Sequence, residues 1–155
     1  MSTCTINLNV SDLVAIISLL VAALSAIYAR RATIEASRAN EISLLTHRES
    51  IYDAFLDLKM HLQHKGYKAE LSEVTKFYCS LKSVKRYFPD EEKLKIQISE
   101  YYNACFKIAQ VYEKAGGFNS DSLTEIAPFL ETEKKLAPEL ESSLLSIINK
   151  ATSRH

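Results

Sequence analysis

An uncharged run of seventeen residues, Leu13 to Ala29, constrains the fold more than any other feature of the sequence. At a rise of 1.5 Å per residue it makes a helix of about 25 Å, slightly shorter than the roughly 30 Å hydrocarbon core of a bilayer. Its nine Leu, Ile and Val residues contribute about −3 to −5 kcal/mol to membrane insertion. The run predicts a transmembrane helix at 13–29, preceded by a short segment at 1–12.

The charges on either side of this span predict its orientation. No Lys or Arg precedes it, whereas Arg30, Arg31 and Arg38 follow it. Because positive flanks stay on the cytoplasmic side, we expect a single-pass protein of the inner (plasma) membrane with its N-terminus outside. Two alternatives remain open. A cleaved signal peptide would carry basic residues before the apolar run, and a buried helix of a soluble protein can have this length.

Small residues recur on one face of the span. Ser18, Ala22 and Ala26 are four residues apart, the spacing that lets two helix backbones approach closely in a membrane. This row favours self-association of the span.

The rest of the chain predicts an all-α fold, a small cytoplasmic helical bundle. With only three Gly and three Pro residues, few turns are expected. The first helix continues from the span through a solvated stalk at 30–43 and ends near Gly66. From residue 44 its large apolar residues recur at helical spacing and predict the first core element of a domain at 44–155; they are Leu44, Ile51, Phe55, Leu58 and Leu62.

Four more helices are predicted in this domain. The second covers 69–87 and stops at Pro89, and the third begins near Asp90 and stops at Gly116 and Gly117. A capping box at Ser122–Glu125 starts a fourth helix, and Pro138 begins a fifth. The third helix carries the most regular apolar seam, formed by Leu94, Ile98, Tyr101, Cys105, Ile108 and Tyr112.

Charge and motifs exclude several functions. All nineteen Lys and Arg residues follow the span, as do eighteen of the nineteen acids, so the part after the span is nearly neutral and lacks a broad basic surface for long nucleic acid. No phosphate-binding Gly-rich loop, nucleophile elbow or His-Glu-x-x-His motif is present. We therefore expect no enzymatic activity, no cofactor and no metal site.

The cysteine and histidine positions agree with this expectation. Cys4, Cys79 and Cys105 form no Cys-x-x-Cys pair, and Cys79 and Cys105 are predicted to be core thiols. His61 and His64 are three residues apart on a predicted helix. Without a carboxylate or Cys at matching spacing, they are interpreted as part of a solvated helix face.

The stretch Lys76–Phe88, KFYCSLKSVKRYF, stands out from the balanced charge of the chain because it has four cations, four aromatics and no acid. Cations neutralise phosphates and aromatic rings stack on bases, so the stretch suits a short nucleotide. The candidate ligand-binding residues are Lys82, Lys85, Arg86, Tyr87 and Phe88.

Other interpretations of this stretch stay open. Its aromatics can belong to the core while its cations are solvated or meet membrane phosphates. A smaller group of similar chemistry is Lys65, Tyr67 and Lys68, and the acids of residues 121–141 are possible partners of the basic helix.

The overall plan resembles that of a known group of proteins. A span (LVAIISLLVAALSAIYA), an RR pair and a helical domain with the KSVKRYF cluster are similar to the membrane-anchored ancillary effectors of type III CRISPR systems. Those antiviral effectors bind cyclic tetra-adenylate. The resemblance covers the whole chain as a plan and is not a match of a specific motif.

The resemblance implies a homotetramer that binds a cyclic oligoadenylate through its cytoplasmic part and then opens or damages the membrane through its helices. A ring with four phosphates and near four-fold symmetry would meet four identical subunits with identical contacts. Two alternatives lack a nucleotide ligand: a constitutive membrane-tethered interaction protein, and a small membrane toxin.

Overall fold

The computed structural model describes residues 9–115 and 120–153, apart from the side chain of Tyr67. This part of the chain is almost entirely helical and contains no strand, which confirms the all-α fold class. A 3₁₀ turn at Gly66–Lys68 separates the first two helices. In chain order the helices are α1 (Val10–Lys65), α2 (Leu71–Tyr87), α3 (Glu92–Ala115) and α4 (Ser120–Thr152).

The chain divides into two compact units, residues 1–42 and residues 43–155; the predicted boundary is one residue later. In the first unit, every described side chain is exposed. α1 begins in this unit and is, by length and composition, able to cross a membrane. None of the residues in its most apolar stretch is buried. The structure thus contains one long apolar N-terminal helix that is a candidate membrane span.

The second unit is built around α3, which packs against both α2 and α4. The main core also receives side chains from α1, and the Phe55 and Tyr101 rings lie 5.3 Å apart. A smaller cluster joins α3 and α4 and is formed by Ile108, Val111 and Ile126. The largest fully buried side chains are Tyr101, Phe55, Phe88, Ile98, Ile108, Leu140, Leu144, Val74, Val84 and Cys105.

The predicted apolar rows of α1 and α3 are confirmed almost completely. In the α1 row, Leu44 is half-buried and the other four members are buried, namely Ile51, Phe55, Leu58 and Leu62. In α3 the first five residues of the seam are buried and Tyr112 is half-buried. The end of α1 is also as predicted, because Gly66 has a φ of +56°, a left-handed conformation that favours glycine.

α4 corrects the prediction of two helices separated at Pro138. It is continuous from Ser120 to Thr152, with both Pro128 and Pro138 inside it. A proline removes one helical hydrogen bond and crowds the carbonyl of the fourth residue before it. Both prolines are exposed, so water can solvate the freed carbonyls. The buried residues on either side remain packed against α3, and this packing outweighs the local cost.

The start of α4 also differs from the prediction. Ser122 was expected to cap the helix, but the helix begins at Ser120, and Ser122 lies in its first turn and is buried. Gly116 and Gly117, the predicted end of the third helix, lie outside the described residues.

Candidate ligand-binding cleft

The packing of α2 determines which of its residues are accessible. Val74, Phe77 and Val84 are buried at helical spacing and fix the orientation of the helix against the core. Tyr78, Lys82, Lys85 and Arg86 lie on other faces of α2 and are exposed. The apolar pattern of α2 therefore places its cations in solvent.

A cleft of about 220 Å³ lies between α2 and α3. Its lining combines apolar side chains with lysines, a tyrosine and a serine. The lining residues are Tyr78, Leu81, Lys82, Val84, Lys85, Lys95, Ile98 and Ser99. A cleft with an apolar interior and cationic groups at its edge suits a ligand in which a planar ring is joined to an anion.

The three lysines of the cleft differ in their partners. Lys95 Nζ donates to the Pro89 carbonyl at 2.6 Å and lies 2.6 Å from Glu92 Oε1, so its charge is already compensated. Lys82 Nζ lies over the Tyr78 ring, 4.7 Å from the centroid. Within the described residues, neither Lys82 nor Lys85 forms an ion pair, and these two cations are available to an anion.

The remaining predicted residues lie elsewhere. Arg86 is exposed but does not line the cleft. The Tyr87 ring is half-buried and stacks on His47 of α1, with centroids 4.4 Å apart and planes inclined by 19°. Phe88 is 0% exposed. The structure therefore brings Lys82 and Lys85 together at the cleft and places the rings of Tyr87 and Phe88 against other parts of the domain.

Arg48 of α1 fixes the end of α2. Its Nε donates to the Tyr87 carbonyl at 2.9 Å, and its guanidinium lies 5.3 Å from the centroid of the Phe88 ring. The last carbonyls of a helix lack partners within the helix, so this contact satisfies one of them. Arg48 thus ties the C-terminal turn of α2 to α1.

The acids of residues 121–141 do not pair with the basic helix, contrary to the sequence-based suggestion. Among the described residues no ion pair joins the two segments. Glu141 instead pairs with Lys59 of α1, with Nζ and Oε2 2.5 Å apart. Glu141 thus neutralises Lys59 on α1, and Lys82 and Lys85 are left to solvent.

The cysteine prediction is half correct. Cys105 is buried in the core, but Cys79 is exposed on α2. Burial, together with the nearby Glu133 carboxylate, raises the pKa of the Cys105 thiol. Burial also raises the pKa of the neighbouring Tyr101 hydroxyl. Both groups are therefore protonated at neutral pH and unsuited to nucleophilic chemistry.

His61 has a structural contact. Its Nε2 accepts a hydrogen bond from the Glu70 amide at 3.0 Å, just before α2 begins. No group of three or more His, Cys, Asp or Glu side chains able to hold a metal ion occurs in the part of the chain that the structure describes.

A second cleft, of about 290 Å³, lies between α1 and α2. Its charged lining mixes Asp57 and Glu73 with His61 and Lys76, and Lys76 Nζ lies 2.6 Å from Glu73 Oε1. This hydrogen bond lowers the pKa of Glu73, so the carboxylate is ionised and repels anions. The α2–α3 cleft is the better anion site.

The second cation group, Lys65, Tyr67 and Lys68, is less available than the cleft lysines. Lys65 Nζ lies 3.9 Å from Glu70 Oε1, and Lys68 has a partner of its own. The side chain of Tyr67 lies outside the described part of the chain.

Comparison with known protein families, curated proteins and solved structures finds no match to this chain. The site is therefore defined by its own geometry. From the sequence alone, Tyr78 was not selected among the four aromatics of Lys76–Phe88. The signal was its spacing of four residues from Lys82, which places the two side chains next to each other on a helix.

Proposed function

We propose that this protein is a membrane-anchored effector of CRISPR-associated antiviral defence whose helical domain binds a cyclic oligoadenylate. The ligand we expect is cyclic tetra-adenylate, and its binding leads to opening or disruption of the membrane through the N-terminal helices. The observation that carries the proposal is the pair of exposed cations Lys82 and Lys85, which line a cleft that also contains Tyr78 and no acid. The first helix of the same chain begins as an apolar candidate span.

The exposure of the first unit supports a membrane anchor. An apolar helix with no buried side chains requires a nonpolar environment from outside its own chain. Arg30, Arg31 and Arg38 follow the span, which supports a single pass through the inner membrane with the N-terminus outside and the helical domain in the cytoplasm.

The exposed cations of α2 support a ligand that contains phosphates. A cyclic oligoadenylate alternates phosphates with adenine rings, and Lys82, Lys85 and Arg86 are exposed cations within two turns of α2. A ring of four identical nucleotides is best matched by four identical chains, so the proposed assembly is a homotetramer. The row Ser18, Ala22 and Ala26 supports contact between the spans.

Titration of the purified full chain in detergent with cyclic tetra-adenylate at fixed salt tests the proposal. A charge-assisted contact to phosphate is worth roughly 1.5–3 kcal/mol. Lys85→Ala, which removes an exposed cation of the cleft, is therefore expected to weaken binding about ten- to a hundredfold, and repetition in every subunit of a tetramer increases the loss. Lys93→Ala, which removes an exposed cation at the start of α3, is the matched control and leaves the affinity unchanged.

Two further measurements complete this test. Light-scattering mass in detergent is expected to show a tetramer, and Ala22→Leu is expected to weaken association while leaving the circular dichroism of the domain unchanged. Absence of cyclic tetra-adenylate binding by the folded, assembled protein would refute the nucleotide proposal. The alternatives would then be a constitutive membrane-tethered interaction protein or a small membrane toxin.

A further inference from the structure

We propose that an adenine base stacks on the side chain of Tyr78, and that the α2–α3 cleft of each chain binds one of the four bases of the cyclic ligand. This inference rests on the proposed function and assigns the base-binding residue of that site.

Exposure selects Tyr78 among the aromatics of α2. Its side chain is 45% exposed and lines the cleft, whereas Phe77 and Phe88 are buried. The Tyr87 ring is already stacked on His47. Tyr78 is therefore the aromatic of this stretch that presents its ring at the cleft.

The ring of Tyr78 is supported from within the domain. Its centroid lies 5.7 Å from that of the Tyr102 ring of α3, with the planes inclined by 34°. The centroids of the Tyr102 and Phe106 rings are in turn 5.9 Å apart. Burial, with a contribution from Tyr78, raises the pKa of the Tyr102 hydroxyl, so this support remains uncharged. A ring held by such packing loses little freedom when a base stacks on it.

Lys82 connects base binding with phosphate binding. In the structure its ammonium lies over the Tyr78 ring, where it occupies a site suited to a base. A base that stacks there displaces the ammonium, which is then free to meet the phosphate attached to that nucleotide. Lys85 lies one turn further along α2 at the same cleft, and the two lysines would bracket the phosphate.

The size of the cleft limits how much ligand it accepts. Its volume of about 220 Å³ is below the roughly 300–1,000 Å³ of clefts that enclose a drug-sized molecule. A cyclic tetranucleotide is larger still, so the cleft holds one base and leaves the rest of the ring outside. Four bases then require four chains, and the expected stoichiometry is one ligand ring per four chains.

Calorimetric titration of the full chain in detergent with cyclic tetra-adenylate measures both the affinity and the stoichiometry. Because stacking of a base on an aromatic residue contributes substantially to affinity, Tyr78→Ala is expected to weaken binding about ten- to a hundredfold. Tyr78→Phe keeps the ring and is expected to bind within about threefold of the wild type, since stacking does not need the hydroxyl.

Tyr78→Leu separates stacking from structural support. Leucine fills space beside Tyr102 but offers no π surface, so it is expected to lose affinity as Tyr78→Ala does while its melting temperature stays close to that of the wild type. Each variant is checked for helicity and for mass in detergent, so that loss of folding or assembly is recognised as such.

Three outcomes would overturn the inference, and they differ in what survives. Unchanged affinity in Tyr78→Leu, with a large loss in Tyr87→Ala, would move the stacking ring to Tyr87 and preserve the proposed function. One ligand ring per chain would refute the one-base cleft. No binding by the assembled wild-type protein would remove both the inference and the proposed function.

Discussion

α1 contains two regions that share one helical backbone and differ in the environment of their side chains. Between Val10 and Ile42 every side chain is exposed, although the region contains most of the large apolar residues of the helix. Between Ser43 and Lys65, Ile51, Phe55, Leu58 and Leu62 are buried. The difference lies in the pattern: an apolar stripe on one face packs on protein, whereas a helix apolar all round needs another apolar environment.

The largest expected effect is loss of membrane association when the apolar character of the first region is broken. Leu20→Arg with Val21→Arg introduces two charges, each costing about 2.5–3.5 kcal/mol at the centre of a span. Their sum exceeds the roughly 3–5 kcal/mol by which the apolar residues favour insertion. We expect the protein to leave the membrane fraction in a sedimentation assay.

The matched control for this experiment is Ala36→Arg with Ala39→Arg, at exposed positions of the same helix beyond the span. It is expected to stay with membranes, and a chain of residues 43 to 155 alone is expected to be soluble. Recovery of the unmodified full chain in the soluble fraction without detergent would contradict the membrane assignment.

The next largest effect compares one substitution in both regions of α1. Leu58 is 3% exposed and Leu24 is 55% exposed. Leu58→Ala removes a buried side chain and is expected to lower the free energy of unfolding of the domain by about 2–5 kcal/mol. Leu24→Ala is expected to change it by less than about 0.5 kcal/mol, as measured by urea denaturation in detergent. Equal effects would show that the two regions are not energetically distinct.

A smaller effect is expected where α1 holds the end of α2. Arg48→Ala removes the hydrogen bond to the Tyr87 carbonyl and the contact with the Phe88 ring, together worth about 2 kcal/mol. Glu49→Ala changes an exposed neighbour and should be nearly neutral. If Arg48→Ala is equally neutral in urea denaturation, the contact does not stabilise the domain.

The smallest effect concerns Glu133, whose pKa is raised chiefly by burial, while Lys134 opposes the shift. A carboxyl whose pKa is higher in the folded state stabilises the fold below its unfolded pKa, and this contribution is lost as pH rises through the folded value. Because the group is half-exposed, solvent screens this contribution and keeps it small. Glu133→Gln is expected to flatten the dependence of stability on pH above 4.5; an unchanged slope would argue against it.

The sequence predicts the helices well because their apolar residues recur at helical spacing over long stretches. The error at Pro138 has a physical reason: proline destabilises a helix locally, and only the structure shows that packing of the neighbouring residues against α3 compensates. Cys79 was placed in the core because its neighbours are apolar, yet it falls on a different face of α2 from Phe77. The apolar character of neighbouring residues does not determine on which face of a helix a residue lies.

The candidate site was predictable only in part. Positive charge without nearby acids is visible in the sequence, and Lys82 and Lys85 were found in this way. Ile98 and Ser99 join the cleft from another helix, so their contribution depends on how α3 packs against α2. The same packing buries Phe88 and leaves Tyr78 accessible, a distinction between aromatics that spacing within one helix does not provide.

Because the cysteines differ in exposure and in position relative to the span, labelling of the native cysteines can test the orientation of the chain in the membrane. Cys4 precedes the span in the sequence, and Cys79 is exposed in the domain that follows it. Cys105 is buried, and burial raises the pKa of its thiol, so it should not react with the reagent. With the proposed orientation, N-terminus outside and domain in the cytoplasm, a maleimide that cannot cross membranes is expected to label intact cells at Cys4 alone and to reach Cys79 only after permeabilisation. Cys4→Ser should abolish the labelling of intact cells, so one reagent and one variant locate the two ends of the span without any added tag.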